Sequence, residues 1–117
     1  MAREHPAFAI GRHEEGDTTV FAPRGELDLA TAPELERAVF AALEGEGRVV
    51  IDLRDLEFMD SSGVRVLIAA HAKAGVGGER LTLVRPPPGG AVDRILEIAG
   101  VEQALRMVDD VGQPPAA

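Results

Sequence analysis

The segment Met59-Asp60-Ser61-Ser62-Gly63 sets one carboxylate and two hydroxyls side by side, directly before a run with helical apolar spacing. Two kinds of chemistry suit such a segment. Asp60, Ser61 or Ser62 can cap a helix by accepting hydrogen bonds from its first backbone N–H groups. Alternatively, a serine hydroxyl at an exposed helix start can take up a phosphoryl group, which free N–H groups and the positive end of the helix dipole would accommodate. On a helix turning about 100° per residue, Arg65, Val66, Ala69 and Lys73 fall within about 60° of Ser62. Val64, Leu67, Ile68, His71 and Ala74 fall on the opposite side, as the stripe expected against a sheet. Ser62 is therefore expected to point outward, flanked by Val66 and Ala69 as a small apolar docking patch. A dianion there would spoil docking, and Asp60 would deepen the repulsion.

Catalytic and metal chemistry find little support. His71 lies nine residues along the same helix, about 13 Å by rise and on the far face, so it cannot act as a base for Ser62. The chain has neither a Gly-x-Ser-x-Gly elbow nor a Gly-rich Lys-Ser/Thr phosphate loop. It has no cysteine, and His5, His13 and His71 are scattered, with His5 and His13 expected at the surface. Glu14-Glu15 and Asp109-Asp110 read as solvated ends rather than calcium ligands. No metal, cofactor or catalytic residue is expected, and the chain is read as a binding protein rather than an enzyme. A formal charge of -8 argues against nucleic acid and anionic lipid, which need clustered cations, and favours a protein partner. No apolar run approaches the ~20 residues of a membrane span, and the start Met1 to Pro6 lacks a secretory pattern, so a cytoplasmic protein is expected.

The elements that must position Ser62 can be read in order. Phe8 and Ile10 alternate ahead of turn residues Glu14 to Asp17 and the β-formers Thr18 to Phe21, which makes a hairpin, with Pro23 at an edge or bulge. Thr31-Ala32-Pro33-Glu34 resembles a helix start with a capping box, and Leu35, Ala38, Val39, Ala42 and Leu43 continue it until Gly45 and Gly47. Val49-Val50-Ile51 fits a central strand covered on both faces. Residues 54–62 read as the loop after it, Asp28 as a second loop residue that caps a turn or meets a partner. A helix then runs to about Lys73, ended by the glycines at 75, 77 and 78. It is followed by a strand Leu81 to Val84 and, after Pro86-Pro87-Pro88-Gly89-Gly90, by a helix with stripe Val92, Ile95, Leu96 and Ala99 ending at Gly100. A short strand near Leu105 to Val108 completes the series. The 117 residues, 45% of them apolar, suffice for one domain over 1–110, with 111–117 a disordered tail. This order predicts an α/β fold, a mixed β-sheet of four to five strands flanked by helices, with right-handed crossovers.

Four ordered segments resemble the STAS family, and within it the bacterial anti-anti-sigma factors, or anti-sigma factor antagonists. They are Gly25-Glu26-Leu27-Asp28 with Thr31-Ala32-Pro33, Val49 to Leu53, Leu56 to Gly63, and Val92 to Leu96 with Ala99-Gly100-Val101. The resemblance implies the STAS fold and phosphorylation of Ser62; Asp28, Asp60, Ser61, Gly63, Arg65, Val66 and Ala69 are the partner-binding residues expected around it. It implies that the unphosphorylated protein binds an anti-sigma factor with serine kinase activity and frees the sigma factor. Phosphorylation releases that partner until a PP2C-type phosphatase resets the switch; a STAS signalling or scaffold module working with a different kinase is the alternative. A weak homodimer stays open. The position three beyond the acceptor is often small in the family and here is Arg65, which could pair with the phosphate, hinder a standard kinase, or recognise an acidic partner.

Overall fold

The computed structural model describes residues 8–75 and 79–112. The expectations for His5, for the start through Pro6, for Gly77 and Gly78 and for the tail beyond Gly112 lie outside these residues.

Strand β1 (Ala9–Glu15) turns at Gly16, whose φ is +62°, into β2 (Thr18–Leu27), and the two pair antiparallel from Ala9↔Arg24 to Glu15↔Thr18. Helix α1 (Ala32–Leu43) leads to β3 (Arg48–Asp52), which is parallel to β2. Next come β4 (Leu56–Met59), α2 (Ser61–Ala74), β5 (Leu81–Val84), α3 (Ala91–Ala99), the single turn α4 (Val101–Ala104) and β6 (Met107–Val108). The strand order is β1-β2-β3-β5-β6, with β4 joined to β2 alone. This is the mixed α/β sheet expected, with one strand more. Residues 56–59, read as loop, are strand β4, paired parallel with the end of β2 from Gly25↔Leu56 to Leu27↔Met59. Pairing of β2 with β3 stops at Phe21↔Ile51, so Pro23, which has no N–H to donate, falls in the gap between the two ladders.

Strand β3 is central, and its side chains alternate between two clusters. Val49 and Ile51 join Phe21, Leu81 and Leu83 in a core completed by Leu35, Val39, Leu67 and Leu96 of the helices. Val50 joins a row of valines, Val20, Val84 and Val108, on the other face. The crossovers β2-α1-β3, β3-α2-β5 and β5-α3-β6 all step the same way across the sheet, so one handedness puts all their helices on one face. Val111 packs on the valine row, so ordered packing passes the expected boundary at 110.

Local chemistry closes the ends. The Arg80 guanidinium donates to the carbonyls of Leu43, Gly45 and Gly47, satisfying the C-terminal end of α1. Gly100, at φ +74°, ends α3 as expected. Ala99, however, is exposed: α3 buries only Val92 and Leu96 and leaves Ile98 outward. Thr31 occupies the N-cap of α1, yet no side chain caps that helix, so the expected capping box with Glu34 is not formed. Asp109 and Asp110, expected to be free in solvent, face Arg85 at 3.0 Å and Arg54 at 3.7 Å.

Two expected outcomes follow from this packing. A Cβ on Gly63 would lie 2.6 Å from Met59 Cγ and 2.8 Å from Leu27 Cδ2, both fully buried. Overpacking costs about 1–3 kcal/mol, more than the few tenths gained by replacing a helical glycine with valine. Gly63→Val should therefore lower stability by about 2 kcal/mol, read as a lower urea midpoint. Burial pushes the Asp52 carboxyl up, but hydrogen bonds from the Arg54 guanidinium and backbone N–H, at 2.9 to 3.1 Å, outweigh it and hold the carboxyl below the usual range. A carboxyl lowered on folding stabilises above its unfolded midpoint, about pH 4, and that contribution is lost as pH falls through the lower folded value. Asp52→Asn should cost about 1 kcal/mol at pH 7, given the half-exposed arginine, with the gap to the parent protein narrowing as pH falls below about 4. Urea denaturation across that range measures it.

Candidate functional site

Leu27, at the end of β2, accepts at its carbonyl a 3.1 Å hydrogen bond from the Asp60 N–H, and this joins the loop before α1 to the start of α2. On the α1 side Asp28 shapes the loop. Its Oδ1 accepts from the N–H groups of Ala30 at 3.0 Å and Thr31 at 3.2 Å, while the Thr31 hydroxyl accepts from the Asp28 N–H at 2.9 Å and donates to the Glu26 carbonyl at 2.7 Å. This reciprocal lock is an Asx-type turn, and it lifts Leu29 into solvent with 78% of its surface exposed.

On the α2 side Asp60 is the N-cap, accepting from the Ser62 N–H at 2.8 Å, and its carbonyl accepts from Gly63 at 3.0 Å and Val64 at 3.3 Å. Ser61 is exposed and Ser62 half-buried. The three possible caps named from sequence thus resolve to Asp60, and the amide of Ser62, expected to be available to a phosphate, is already taken by a carboxylate.

The helix is also turned from its expected setting. Val66 is 3% exposed and Ile68 is 49% exposed, so the outward apolar patch of Val66 and Ala69 is not present; Ala69 is half-buried. The buried residues Gly63, Val64, Val66, Leu67, Ala70 and Ala74 span an arc from about 40° to 200° on the wheel that has Ser62 at zero. Helix α2 packs against α1 as well as the sheet, and this second contact draws in Val66. Lys73 likewise turns to α1: its Nζ pairs with Glu44 at 2.7 Å, which holds the Glu44 carboxyl below its usual range, and lies 5.6 Å from the Phe40 ring centre. Ser62 therefore stands on the rim of a cleft between the two helix starts. Its walls include Leu29, Pro33, Glu36, Ser62 and Arg65, with Val66 also lining it, in a volume of about 110 Å³.

The structure thus brings Ser62, Arg65 and Val66 into one cleft and keeps Asp28 and Asp60 behind it as the groups that form its two loops. Gly63 is buried against Leu27 and Met59. Leu29 and Glu36 were missed from sequence. The available signal for Leu29 was a leucine in a loop outside any apolar period.

A roomier cleft of about 460 Å³ lies at the ends of β3, β5 and β6, between Arg54, Arg85 and the three prolines Pro86 to Pro88. Its arginines are engaged by Asp52, Asp110 and Asp109, so it presents no surplus positive charge. Among the described residues no group of three or more His, Cys, Asp or Glu could hold a metal ion, and no helix is long and apolar enough to cross a membrane.

Comparison with known proteins agrees with this arrangement. An anti-sigma-F factor antagonist of Mycobacterium tuberculosis, RsfB, is 31% identical over 84 residues, 71% of this chain and 66% of that protein, so the match spans just under two thirds of the relative. A crystal structure of an anti-sigma factor antagonist from Mycobacterium paratuberculosis superposes with a TM-score of 0.81 at 25% identity, covering 94% of this chain and 92% of that one. The anti-sigma factor antagonist SpoIIAA shares the fold in its unphosphorylated form, with a TM-score of 0.66, 24% identity and 90% of each chain covered. The Bacillus protein's phosphorylated form does so with a TM-score of 0.63 at 21% identity, over 87% of this chain and 91% of that one. The family model described as "Mlab, STAS domain" matches residues 10–109, and the chain therefore belongs to the STAS domain family.

Proposed function

We propose that this protein is an anti-sigma factor antagonist, a binding module that docks on an anti-sigma factor with serine kinase activity and thereby frees a sigma factor. Phosphorylation of Ser62 ends the docking, and a PP2C-type phosphatase restores it. The observation that carries this reading is the position of Ser62 on the rim of the cleft between α1 and α2, beside the exposed Leu29. An apolar side chain held out on a rigid turn is a natural anchor for a protein partner. A phosphoryl group next to it brings roughly 1.5 to 2 negative charges that must be desolvated if the partner is to reach Leu29. Asp60 and Glu36 add charge of the same sign nearby. The relatives named as antagonists, and a related fold solved with and without phosphate, support the reading.

Arg65 favours one variation, a STAS module that works with a different kinase, because a large cation beside the acceptor presents a different surface to the enzyme that must reach it. One experiment separates the cases. Incubation with the anti-sigma kinase and ATP should add one phosphate to the native protein and none to Ser62→Ala. The phosphorylated form should then bind that kinase at least about tenfold more weakly, a difference of about 1.4 kcal/mol. Equal labelling of Ser62→Ala would refute the acceptor; labelling at Ser62 by an unrelated kinase alone would favour the variation.

A further inference from the structure

We propose that Arg65 holds the phosphate of phosphorylated Ser62 within the protein's own cleft, so that the switch withdraws a cation from the docking surface as well as adding an anion to it. This rests on the reading that Ser62 is the phosphorylated residue.

A phosphate at the start of a helix ordinarily finds backbone N–H groups. Here three of those groups are taken: the Ser62 amide donates to the Asp60 carboxylate, and the Gly63 and Val64 amides donate to the Asp60 carbonyl, which leaves the Ser61 amide. One amide carries no full charge, so a phosphate's counter-charge has to come from side chains. Of the charged residues around it, Asp60 and Glu36 repel, and Arg65 is the cation that lines the same cleft. Residues three apart on a helix have Cβ atoms roughly 5–6 Å apart, within reach of a guanidinium. Arg65 is exposed and, among the described residues, is engaged in no ion pair that a phosphate would have to break. The cleft has space for several waters, and hence for a phosphoryl group. A planar guanidinium can then meet two phosphate oxygens at once.

In the unphosphorylated protein Arg65 is free to face an acidic group on the partner, next to Leu29. In the phosphorylated protein it is turned to its own phosphate, and the partner meets a cleft without its cation.

The test needs no kinase. Phosphoserine is placed at position 62 by genetic encoding, and the phosphorus resonance is followed through its second ionisation, near pH 6 for a free phosphoserine. Pairing with Arg65 favours the dianion, so the titration midpoint of Arg65→Gln should lie above that of the native phosphoprotein by about 0.3 to 0.6 pH unit. Arg65→Lys, which keeps the charge without the planar fork, should fall between the two. The unphosphorylated variants should melt with the parent protein, because Arg65 is exposed and unpaired. A midpoint unchanged in Arg65→Gln would overturn the proposal. Absence of kinase labelling at Ser62 would overturn the functional reading instead, and would leave the titration as it stands.

Discussion

Position 63 has no side chain, and this lets α2 begin directly on Leu27 and Met59, the last buried residues of β2 and β4. A Cβ there would push the first turn of the helix off the sheet. Because the helix is seated so closely, the Asp60 N–H reaches the Leu27 carbonyl, and the loop that leaves β2 lies against the loop that leaves β4. Everything at the cleft depends on that junction. Leu29 stands in the first loop, Ser62 just beyond the second, and both line the cleft.

Strand β4 supplies the other half of the geometry. Three crossovers of one hand would place every helix start behind the strand it follows, and α2 would then begin behind β3. Instead the chain turns after Leu53 and adds β4 along the part of β2 that β3 no longer covers. The start of α2 is carried to the exit of β2, where α1 also starts. The remaining strand ends, those of β3, β5 and β6, are left to the Arg54 and Arg85 pairs, whose aspartates neutralise them. One edge of a parallel sheet is thereby divided between a compensated region and an uncompensated one, and Arg65 stands in the second.

This division explains what the sequence made legible. The hairpin, the central strand Val49 to Ile51, the three longer helices and the glycine that ends α3 each follow from local chemistry: turn residues, β-branched runs and apolar period. Strand β4 does not. Leu56-Glu57-Phe58-Met59 buries its two ends, three residues apart as on a helix, and exposes its middle, so only its pairing with β2 makes it a strand. The setting of α2 was hidden for a related reason. Sequence gives the angles between Ser62, Val66 and Ile68, but not how many neighbours the helix has. With the sheet as sole neighbour, Ile68 would be buried and Val66 free; α1 as a second neighbour reverses them. Asp28 shows the same limit in a loop, since a residue name does not say whether a carboxylate faces a partner or its own backbone.

The cap on α2 also limits what the backbone could offer a phosphoryl group on Ser62. A helix start with empty N–H groups would draw a phosphate into its backbone, and modification would then stabilise or remodel the helix itself. Asp60 already engages the Ser62, Gly63 and Val64 amides of that end. A phosphoryl group on Ser62 would therefore gain little from the backbone and would meet a carboxylate close by. Its energy would be spent on the groups that line the cleft, above all Arg65, and on any partner that came to Leu29. Phosphorylation at such a site would leave the domain's stability nearly constant while its surface changed, as the proposed switching requires.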